Sequence, residues 1–291
     1  MPDARCSAAA VTFAHCPNHL PYVSYKGYPR FCWTVAAAPQ FCSLSATSCY
    51  GCRVPALLVL WDIDHTLIDS GGAGVHVYQL VFRDLFGRDL PDLVPFAGRT
   101  ERAIVLDLLA QAEIPEPRQH VDEFLARIGA HAPELAGLVA ARGRALPGAA
   151  AALAAVAAQT TSIAAQSVLT GNVRAMAEMK LHTLRLADHL DLDIGAYGDT
   201  AECRADLVHI ARSKAAIAYC HDFAGSETLL AGDTPLDIAA ALSAGARSLG
   251  VATGASTAAE LAAAGADAVL PDLSDPSAVV AAILGRPPRS T

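Results

Sequence analysis

The chain has 291 residues, of which 53% are hydrophobic and 17% are charged, so it can bury a generous core. Its formal net charge of -8 argues against nucleic acid and against an anionic membrane surface as partners. The longest strongly apolar run, residues 54–61, is too short to span a bilayer. This balance is typical of a soluble cytoplasmic enzyme. A small anionic substrate is compatible with it, because a bound cation can reverse the local field.

The first 53 residues differ in composition from the rest of the chain. They show no sustained helical or strand period and hold most of the cysteines, namely Cys6, Cys16, Cys32, Cys42, Cys49 and Cys52. Cys16 with His19 and Cys49 with Cys52 have spacings found in zinc sites, but such short patterns often arise by chance. We expect residues 1–53 to be a poorly ordered extension. We hypothesise that the working protein begins near Val54.

Residues 54–61 form an apolar run that ends in acidic residues, which predicts a strand buried on both faces. Residues from about 74 to 144 then show helical spacing of apolar residues, at Val75, Tyr78, Leu80, Val81 and Leu85 and again at Ile104, Leu106, Leu108 and Leu109. Glycines and prolines separate these helices. No strand is predicted in this stretch.

Helices and strands alternate after residue 146. The predicted strands are 167–169, 192–198, 228–231, 247–252 and 268–270, and the predicted helices are one opening at Pro147-Gly148 and 173–188, 206–219, 235–244 and 258–264. This alternation implies crossover units and a parallel sheet covered by helices. The sequence therefore predicts an α/β fold with a doubly wound parallel-sheet core, residues 54–71 and 146–291, interrupted by an inserted α-helical cap, residues 72–145.

Two carboxylates directly follow the first predicted strand, in Asp62-Ile-Asp64-His-Thr66. Loops at the carboxyl ends of parallel strands form the binding crevice, and alternation along an extended segment sends Asp62 and Asp64 the same way. Such close carboxylates repel each other, and a divalent cation with its preference for oxygen ligands would relieve this. One carboxylate could then attack phosphorus while its neighbour handles a proton. Turn formation and helix capping are the alternative roles for these residues.

Two later strand ends carry similar signals. Gly232-Asp-Thr-Pro-Leu-Asp237 follows an apolar strand, so Asp233 and Asp237 would face the first acidic pair if the strands are neighbours. Thr170-Gly171-Asn172 ends another strand just before a helix, where a hydroxyl and backbone amides suit phosphate oxygens. Capping of the following helices is the alternative role for both segments. At Asp233 and Asp237 the two roles can coexist, because capping does not use every carboxylate oxygen.

These signals, in this order, resemble the motifs of the haloacid dehalogenase superfamily over roughly residues 54–285. The helical insert and the segments 250–254 and 264–270 are similar to its phosphoglycolate phosphatase-like branch. The resemblance implies a Rossmann-like core and a magnesium-dependent phosphatase acting on a small phosphorylated metabolite.

The resemblance also implies a role for each matching residue. Asp62 would be the nucleophile, and Asp64 the acid that protonates the leaving oxygen and later activates water. The phosphoryl group would be bound by Thr170, with Thr66, Gly171 and Asn172 helping to position the substrate. Mg²⁺ would be held by Asp62, the backbone carbonyl of Asp64, and Asp233, with Asp237 in support.

One family feature is missing, because no Lys-Pro pair precedes the helix before the last acidic motif. Arg204 is the best-placed substitute, since a guanidinium can bind phosphate or Asp62, while Lys214 and Lys180 are less well placed. A sugar phosphomutase would keep all these residues, and a catalytically weak binding or regulatory protein of the same fold is a further alternative. No pattern in the sequence determines the oligomeric state.

Overall fold

The computed structural model describes residues 54–159 and 164–285, so the expectations for residues 1–53 lie outside it. The strands of this part of the chain are β1 (Leu57–Trp61), β2 (Ile68–Asp69), β3 (Arg144–Ala145), β4 (Ala164–Thr170), β5 (Ala196–Tyr197), β6 (Thr228–Gly232), β7 (Arg247–Val251) and β8 (Ala268–Leu270). Its α-helices are α1 (Ala73–Phe86), α2 (Glu101–Gln111), α3 (Pro117–Arg142), α4 (Ala149–Ala157), α5 (Arg174–Thr183), α6 (Arg204–Tyr219), α7 (Pro235–Ser243), α8 (Ala258–Ala263) and α9 (Pro276–Leu284). No helix of the described ranges is both long and apolar enough to cross a membrane.

Six strands form one parallel sheet in the order β5-β4-β1-β6-β7-β8. Strand β1 lies between β4 and β6, with Trp61 opposite Val168 on one side and Ala231 on the other. The strand order reverses at β1, which is typical of a doubly wound sheet. The predicted α/β fold with a parallel sheet is confirmed.

Strand β1 is buried on both faces because helices cover the sheet from both sides. Val59 and Trp61 pack in one apolar cluster with residues of α4, α5 and α9. Leu58 and Leu60 point the other way, into a cluster with residues of α6 and α7. All four side chains are fully buried, and each contributes roughly 1.5–3 kcal/mol of hydrophobic stabilisation. The apolar run in the sequence therefore identified the strand correctly.

Helices α1, α2 and α3 pack around a third apolar cluster. The ring of Tyr78 lies at its centre, 5.0 Å from that of Phe96 and 5.9 Å from that of Phe124. Met176 of α5 also belongs to this cluster, so the three helices contact the part of the chain that carries the sheet. The buried face of α1 differs from the predicted one, since Val75 is exposed.

Strands β2 and β3 form a two-stranded antiparallel ribbon at the two ends of the segment that holds α1, α2 and α3. Ile68 pairs with Ala145, and Asp69 pairs with Arg144. The sequence predicted no strand from about residue 74 to residue 144, and this is wrong at Arg144, the first residue of β3. Both residues of β3 are exposed, so no apolar alternation in the sequence marks this strand.

Two other elements are shorter than predicted. Helix α5 ends at Thr183 rather than near residue 188, because Arg185 adopts a left-handed backbone conformation with φ of 57°. The predicted strand 192–198 contains only the two residues of β5, since only Ala196 and Tyr197 pair with β4. Helix α9 was not predicted, and strand β4 begins three residues earlier than expected.

Candidate active site

The polar residues predicted at the strand ends meet at one edge of the sheet. Asp62 directly follows β1, Thr170 ends β4, and Asp233 directly follows β6. These three strands are neighbours in the sheet, so their carboxyl ends open onto the same crevice. Arg204 at the start of α6 and Asp237 in the first turn of α7 reach the crevice from the helices.

Three carboxylates form the centre of the site. Carboxylate oxygens of Asp62, Asp233 and Asp237 lie within 4.8 Å of one another, and all three residues are buried. Asp237 is fixed by a capping box, in which its Oδ2 accepts hydrogen bonds from the Thr234 backbone amide (3.1 Å) and hydroxyl (2.7 Å). The capping role of this segment and its place in the acidic cluster therefore coexist, as the sequence allowed.

Arg204 bridges two of these carboxylates. Its guanidinium donates to Asp62 Oδ1 (2.7 Å) from Nη2 and to Asp237 Oδ1 (2.8 Å) from Nε. Burial lowers the pKa of Arg204, but the charges of Asp237 and Asp62 outweigh it and raise this pKa above its usual range. The side chain is therefore a permanent cation that offsets part of the buried negative charge.

Burial also controls the ionisation of Asp62 and Asp233. It raises the pKa of Asp62 well above its usual value, because the lowering effect of Arg204 is opposed by the charges of Asp237, Asp233 and Asp64. Burial and the charge of Asp237 raise the pKa of Asp233 to about 6. The cluster thus carries more negative charge than Arg204 alone can offset, and a bound cation would lower both pKa values.

Two carboxylate oxygens face the same hydroxyl group. Thr66 Oγ1 lies 3.4 Å from Asp62 Oδ2 and 3.4 Å from Asp233 Oδ1. In the described part of the chain neither oxygen accepts a shorter hydrogen bond. Both are therefore free to bind a hard cation such as Mg²⁺, which prefers carboxylate oxygens. The donor set fits such an ion.

Asp64 belongs to a second, adjoining network. Its carboxylate accepts bonds from Lys180 Nζ (3.0 and 2.7 Å) and from Asn172 Nδ2 (2.7 Å), and Lys180 also donates to Asn172 Oδ1 (2.7 Å). Burial raises the pKa of Asp64, but Lys180, Asn172 and Ser70 lower it by more, so the net shift is downward. These contacts hold the carboxylate in one orientation at the rim of the acidic cluster.

The segment after β4 is organised by its own polar groups. Thr170 Oγ1 accepts from the backbone amide (3.2 Å) and Nδ2 (2.7 Å) of Asn172. The Gly171 carbonyl accepts from the Glu101 backbone amide at 2.8 Å. A β-carbon at Gly171 would collide with the Arg99 carbonyl, so glycine allows the loop before α2 to approach this segment closely.

A family model agrees with this arrangement. The model for haloacid dehalogenase-like hydrolases matches residues 59–242, which contain every carboxylate, hydroxyl and cation described above. The chain belongs to the haloacid dehalogenase-like hydrolase family. The predicted family and the predicted hydrolase class are thereby confirmed.

Solved structures of this hydrolase fold resemble the chain at low sequence identity. A predicted phosphatase from Clostridium acetobutylicum has a TM-score of 0.55 at 18% identity, covering 75% of this chain and 94% of its own. CbbY from Rhodobacter sphaeroides, solved in complex with phosphate, has a TM-score of 0.54 at 18% identity, with 77% and 96% covered. A hydrolase from Pseudomonas syringae has a TM-score of 0.54 at 20% identity, with 77% and 95% covered. No curated protein matches the chain.

The structure of this hydrolase distinguishes the three basic candidates. Arg204 contacts Asp62, as the sequence suggested, and Lys180 contacts Asp64 although its upstream position in the sequence gave it a lower rank. Lys214 donates to the Gly195 carbonyl (2.6 Å) and lies over the ring of Tyr197, so it does not reach the carboxylates.

Sequence reasoning missed one buried carboxyl group of this hydrolase. Glu101 begins α2, and its Oε2 accepts the Val173 backbone amide at 2.5 Å. Burial raises the pKa of Glu101 to about 8, against the lowering effect of Lys180. A glutamate in the first turn of a helix is normally a surface residue that favours the helix dipole, so the sequence gave no sign of burial.

Most of these groups line one cavity of about 370 Å³, although Thr66, Asp237 and Lys214 do not. Its lining includes residues of the two carboxylate networks, namely Asp62, Asp64, Thr170, Asn172, Lys180, Arg204 and Asp233. It also includes residues of α1, of α2 and of the loop between them, among them Val75, Tyr78, Phe96, Glu101 and Ile104. Arg99 also borders the cavity, but its guanidinium is bound to Asp107.

Proposed function

We propose that this hydrolase is a magnesium-dependent phosphatase that cleaves a small phosphomonoester through an aspartyl-phosphate on Asp62. The observation that carries the proposal is the buried cluster of Asp62, Asp233 and Asp237, bridged by Arg204, with two carboxylate oxygens left free. A predicted phosphatase and a protein solved in complex with phosphate among the similar structures are consistent with it.

The metal ion would be held by Asp62 and Asp233, with the backbone carbonyl of Asp64 as a third protein ligand. Asp237 would support the site indirectly, because both of its oxygens already accept bonds from Arg204 and Thr234. When bound, the ion would supply neutralisation of phosphoryl oxygen charge and would keep the Asp62 carboxylate ionised.

In the first step, a carboxylate oxygen of Asp62 would attack phosphorus, and the bond from phosphorus to the leaving oxygen would break. Asp64 would donate a proton to that oxygen, which releases an alcohol; because Lys180 and Asn172 lower its pKa, Asp64 would first have to take up this proton from solvent. In the second step, Asp64 would take a proton from water as the water oxygen attacks the phosphorus of the aspartyl-phosphate. The bond to Asp62 would then break, giving inorganic phosphate and the free carboxylate.

The remaining groups would position the phosphoryl group. Arg204 and Lys180 place two buried cations beside the reacting carboxylates, where they would offset oxygen charge in the transition state. Thr66, Thr170, Gly171 and Asn172 would supply hydrogen-bonding groups. We propose that residues 72–145 act as a cap that closes the cavity and excludes water.

Hydrolysis of p-nitrophenyl phosphate tests the proposal. We expect turnover that requires Mg²⁺, stops on addition of EDTA, and falls by about 10³-fold or more in Asp62→Asn. Asp89→Asn is the matched control, because Asp89 is exposed and, among residues 54–159 and 164–285, pairs only with Arg83. Mass spectrometry of rapidly quenched protein should find the phosphoryl group on the peptide that contains Asp62.

Full activity in Asp62→Asn would refute the nucleophile. Absence of turnover in the wild type, with every phosphoester tried, would favour the binding or regulatory alternative. A sugar phosphate that yields an isomerised product instead of free phosphate would favour the mutase, whose residue set would be the same.

A further inference from the structure

The part of the cavity lining that comes from α1, from α2 and from the loop between them has its own polar groups. We call this part of the lining the cap wall, formed by Val75, Tyr78, Phe96, Glu101 and Ile104. It borders the same cavity as Asp62, so it would contact the part of a phosphomonoester that departs as the alcohol. The chemistry of the cap wall therefore bears on the leaving group.

The Tyr78 hydroxyl is a buried polar group without a partner. Tyr78 is 1% exposed, and its hydroxyl forms no hydrogen bond within the described ranges. The ring is held by edge contacts with Phe96 and Phe124, so the hydroxyl cannot easily turn to another protein group. Buried polar atoms of native proteins are nearly always paired, which indicates that a ligand group completes this one.

Glu101 offers a second hydrogen-bonding group at the cap wall. Its Oε2 accepts the Val173 amide, whereas no hydrogen bond to Oε1 occurs in the described part of the chain. Burial raises the pKa of this carboxyl to about 8, so near neutral pH it is mostly protonated and can both donate and accept. A neutral carboxyl and a phenol suit a hydroxyl group better than a cation or an anion.

The cations around the cavity are already engaged. Arg204 binds Asp62 and Asp237, Lys180 binds Asp64, and Arg99 binds Asp107 and two backbone carbonyls. Each lysine and arginine that lines the cavity within the described ranges thus has a carboxylate partner. A second anionic group on the substrate would be desolvated without an unpaired lysine or arginine to bind it.

We propose that the cap wall binds an uncharged, hydroxyl-bearing leaving group, so that the substrate is a phosphate monoester of a small polyol, hydrogen-bonded by Tyr78 and Glu101. The cavity of about 370 Å³ accommodates the phosphate ester of a small polyol. The inference rests on the proposed phosphatase function and adds to it the class of alcohol released. It excludes phosphorylated carboxylic acids as preferred substrates.

Three phosphoesters with the same carbon chain length test the inference. Glycerol 3-phosphate carries hydroxyls, n-propyl phosphate carries none, and 3-phosphoglycerate carries a carboxylate. We expect kcat/KM for glycerol 3-phosphate to exceed that for each of the other two by about tenfold. Tyr78→Phe should reduce the preference over n-propyl phosphate by most of this factor. The matched control is Tyr219→Phe, because the Tyr219 hydroxyl bonds Asp191 outside the cavity.

Calorimetry separates this inference from the proposed function. The same three esters are titrated into Asp62→Asn protein with Mg²⁺, so that the ratio of their Kd values is measured whether or not hydrolysis occurs. Failure to hydrolyse p-nitrophenyl phosphate would count against the phosphatase, and the Kd ratio would still decide the leaving-group class. A preference for 3-phosphoglycerate or for n-propyl phosphate would overturn the inference, as would an unchanged preference in Tyr78→Phe. Thermal melting of Tyr78→Phe establishes that it is folded.

Discussion

Replacement of Arg204 by methionine should destabilise the fold strongly. The guanidinium is buried and donates to both Asp62 and Asp237, whose carboxylate oxygens lie within 4.8 Å of each other. Methionine fills a similar volume but leaves two neighbouring carboxylates without their shared cation. Removal of one partner from a buried ion pair costs about 3–5 kcal/mol, and we expect the free energy of unfolding to fall by that amount at neutral pH.

The loss should depend on pH. Burial raises the pKa of Asp62 well above its usual value, and Arg204 is the group that lowers it, so the variant raises this pKa further. Native protein then binds a proton that the unfolded chain has released. The stability attached to this proton is therefore fully present below the unfolded pKa of about 3.9 and is lost as the pH rises through the folded pKa. The deficit of the variant should be larger at pH 8 than at pH 5.

Magnesium should restore part of the lost stability, because a bound cation replaces positive charge beside Asp62. An ion present at 100 times its Kd stabilises the native state by about 2.7 kcal/mol. Urea unfolding with and without Mg²⁺ at pH 5 and pH 8 measures both effects. Arg212→Met in the same helix is the control, since Arg212 bonds Thr228 and two backbone carbonyls rather than a carboxylate.

An Arg204→Met protein within about 0.5 kcal/mol of the wild type, or one whose deficit does not change with pH and Mg²⁺, would refute the role of the guanidinium as the counter-ion of this cluster. The Arg212→Met control should lose stability without either dependence.

Three further predictions concern the surroundings of the cluster. Lys180→Met should lower kcat by about 10- to 100-fold, because it frees Asp64, the proposed acid, from its orienting contacts. Lys214→Met should leave kcat unchanged. Equal effects of the two substitutions on kcat in steady-state assays would contradict this. Burial raises the pKa of Glu101 from 4.5 to about 8, so Glu101 adds stability at low pH that is lost as the pH rises between those values. In urea unfolding, the free energy of unfolding of Glu101→Gln should therefore decline less from pH 5 to pH 8 than that of the wild type. Gly171→Ala should lower the free energy of unfolding by about 1–3 kcal/mol because its β-carbon meets a backbone carbonyl. Gly137→Ala, with open space around it in α3, should raise the free energy of unfolding by about 0.5–1 kcal/mol. Thermal melts in which both substitutions change the stability in the same direction would contradict the close packing at Gly171.

Local patterns in the sequence located the fold class and the residues at the strand ends. Apolar runs that stop at Asp62, Thr170 and Asp233 are visible without coordinates, because a strand buried on both faces must be apolar along its length. Parallel pairing then requires these carboxyl ends to lie at one edge of the sheet. Alternation of helix and strand after residue 146 likewise follows from local periodicity.

Local sequence patterns did not predict the short or exposed strands correctly. Strands β2 and β3 have two residues each, and so few residues cannot establish a period. Strand β5 was predicted too long because the apolar residues near Leu192 pack in the core as a turn.

The sequence by itself located the aspartates and threonines of the site, since each stands near a strand end or in the first turn of a helix. Only the tertiary structure decided which basic group meets which carboxylate, and that Tyr78 and Glu101 share the cavity. Lys180 is separated from Asp64 by 116 residues, and their contact depends on how α5 packs beside β4. Such contacts are set by the packing of whole elements, to which many distant residues contribute, and no short segment of sequence encodes them.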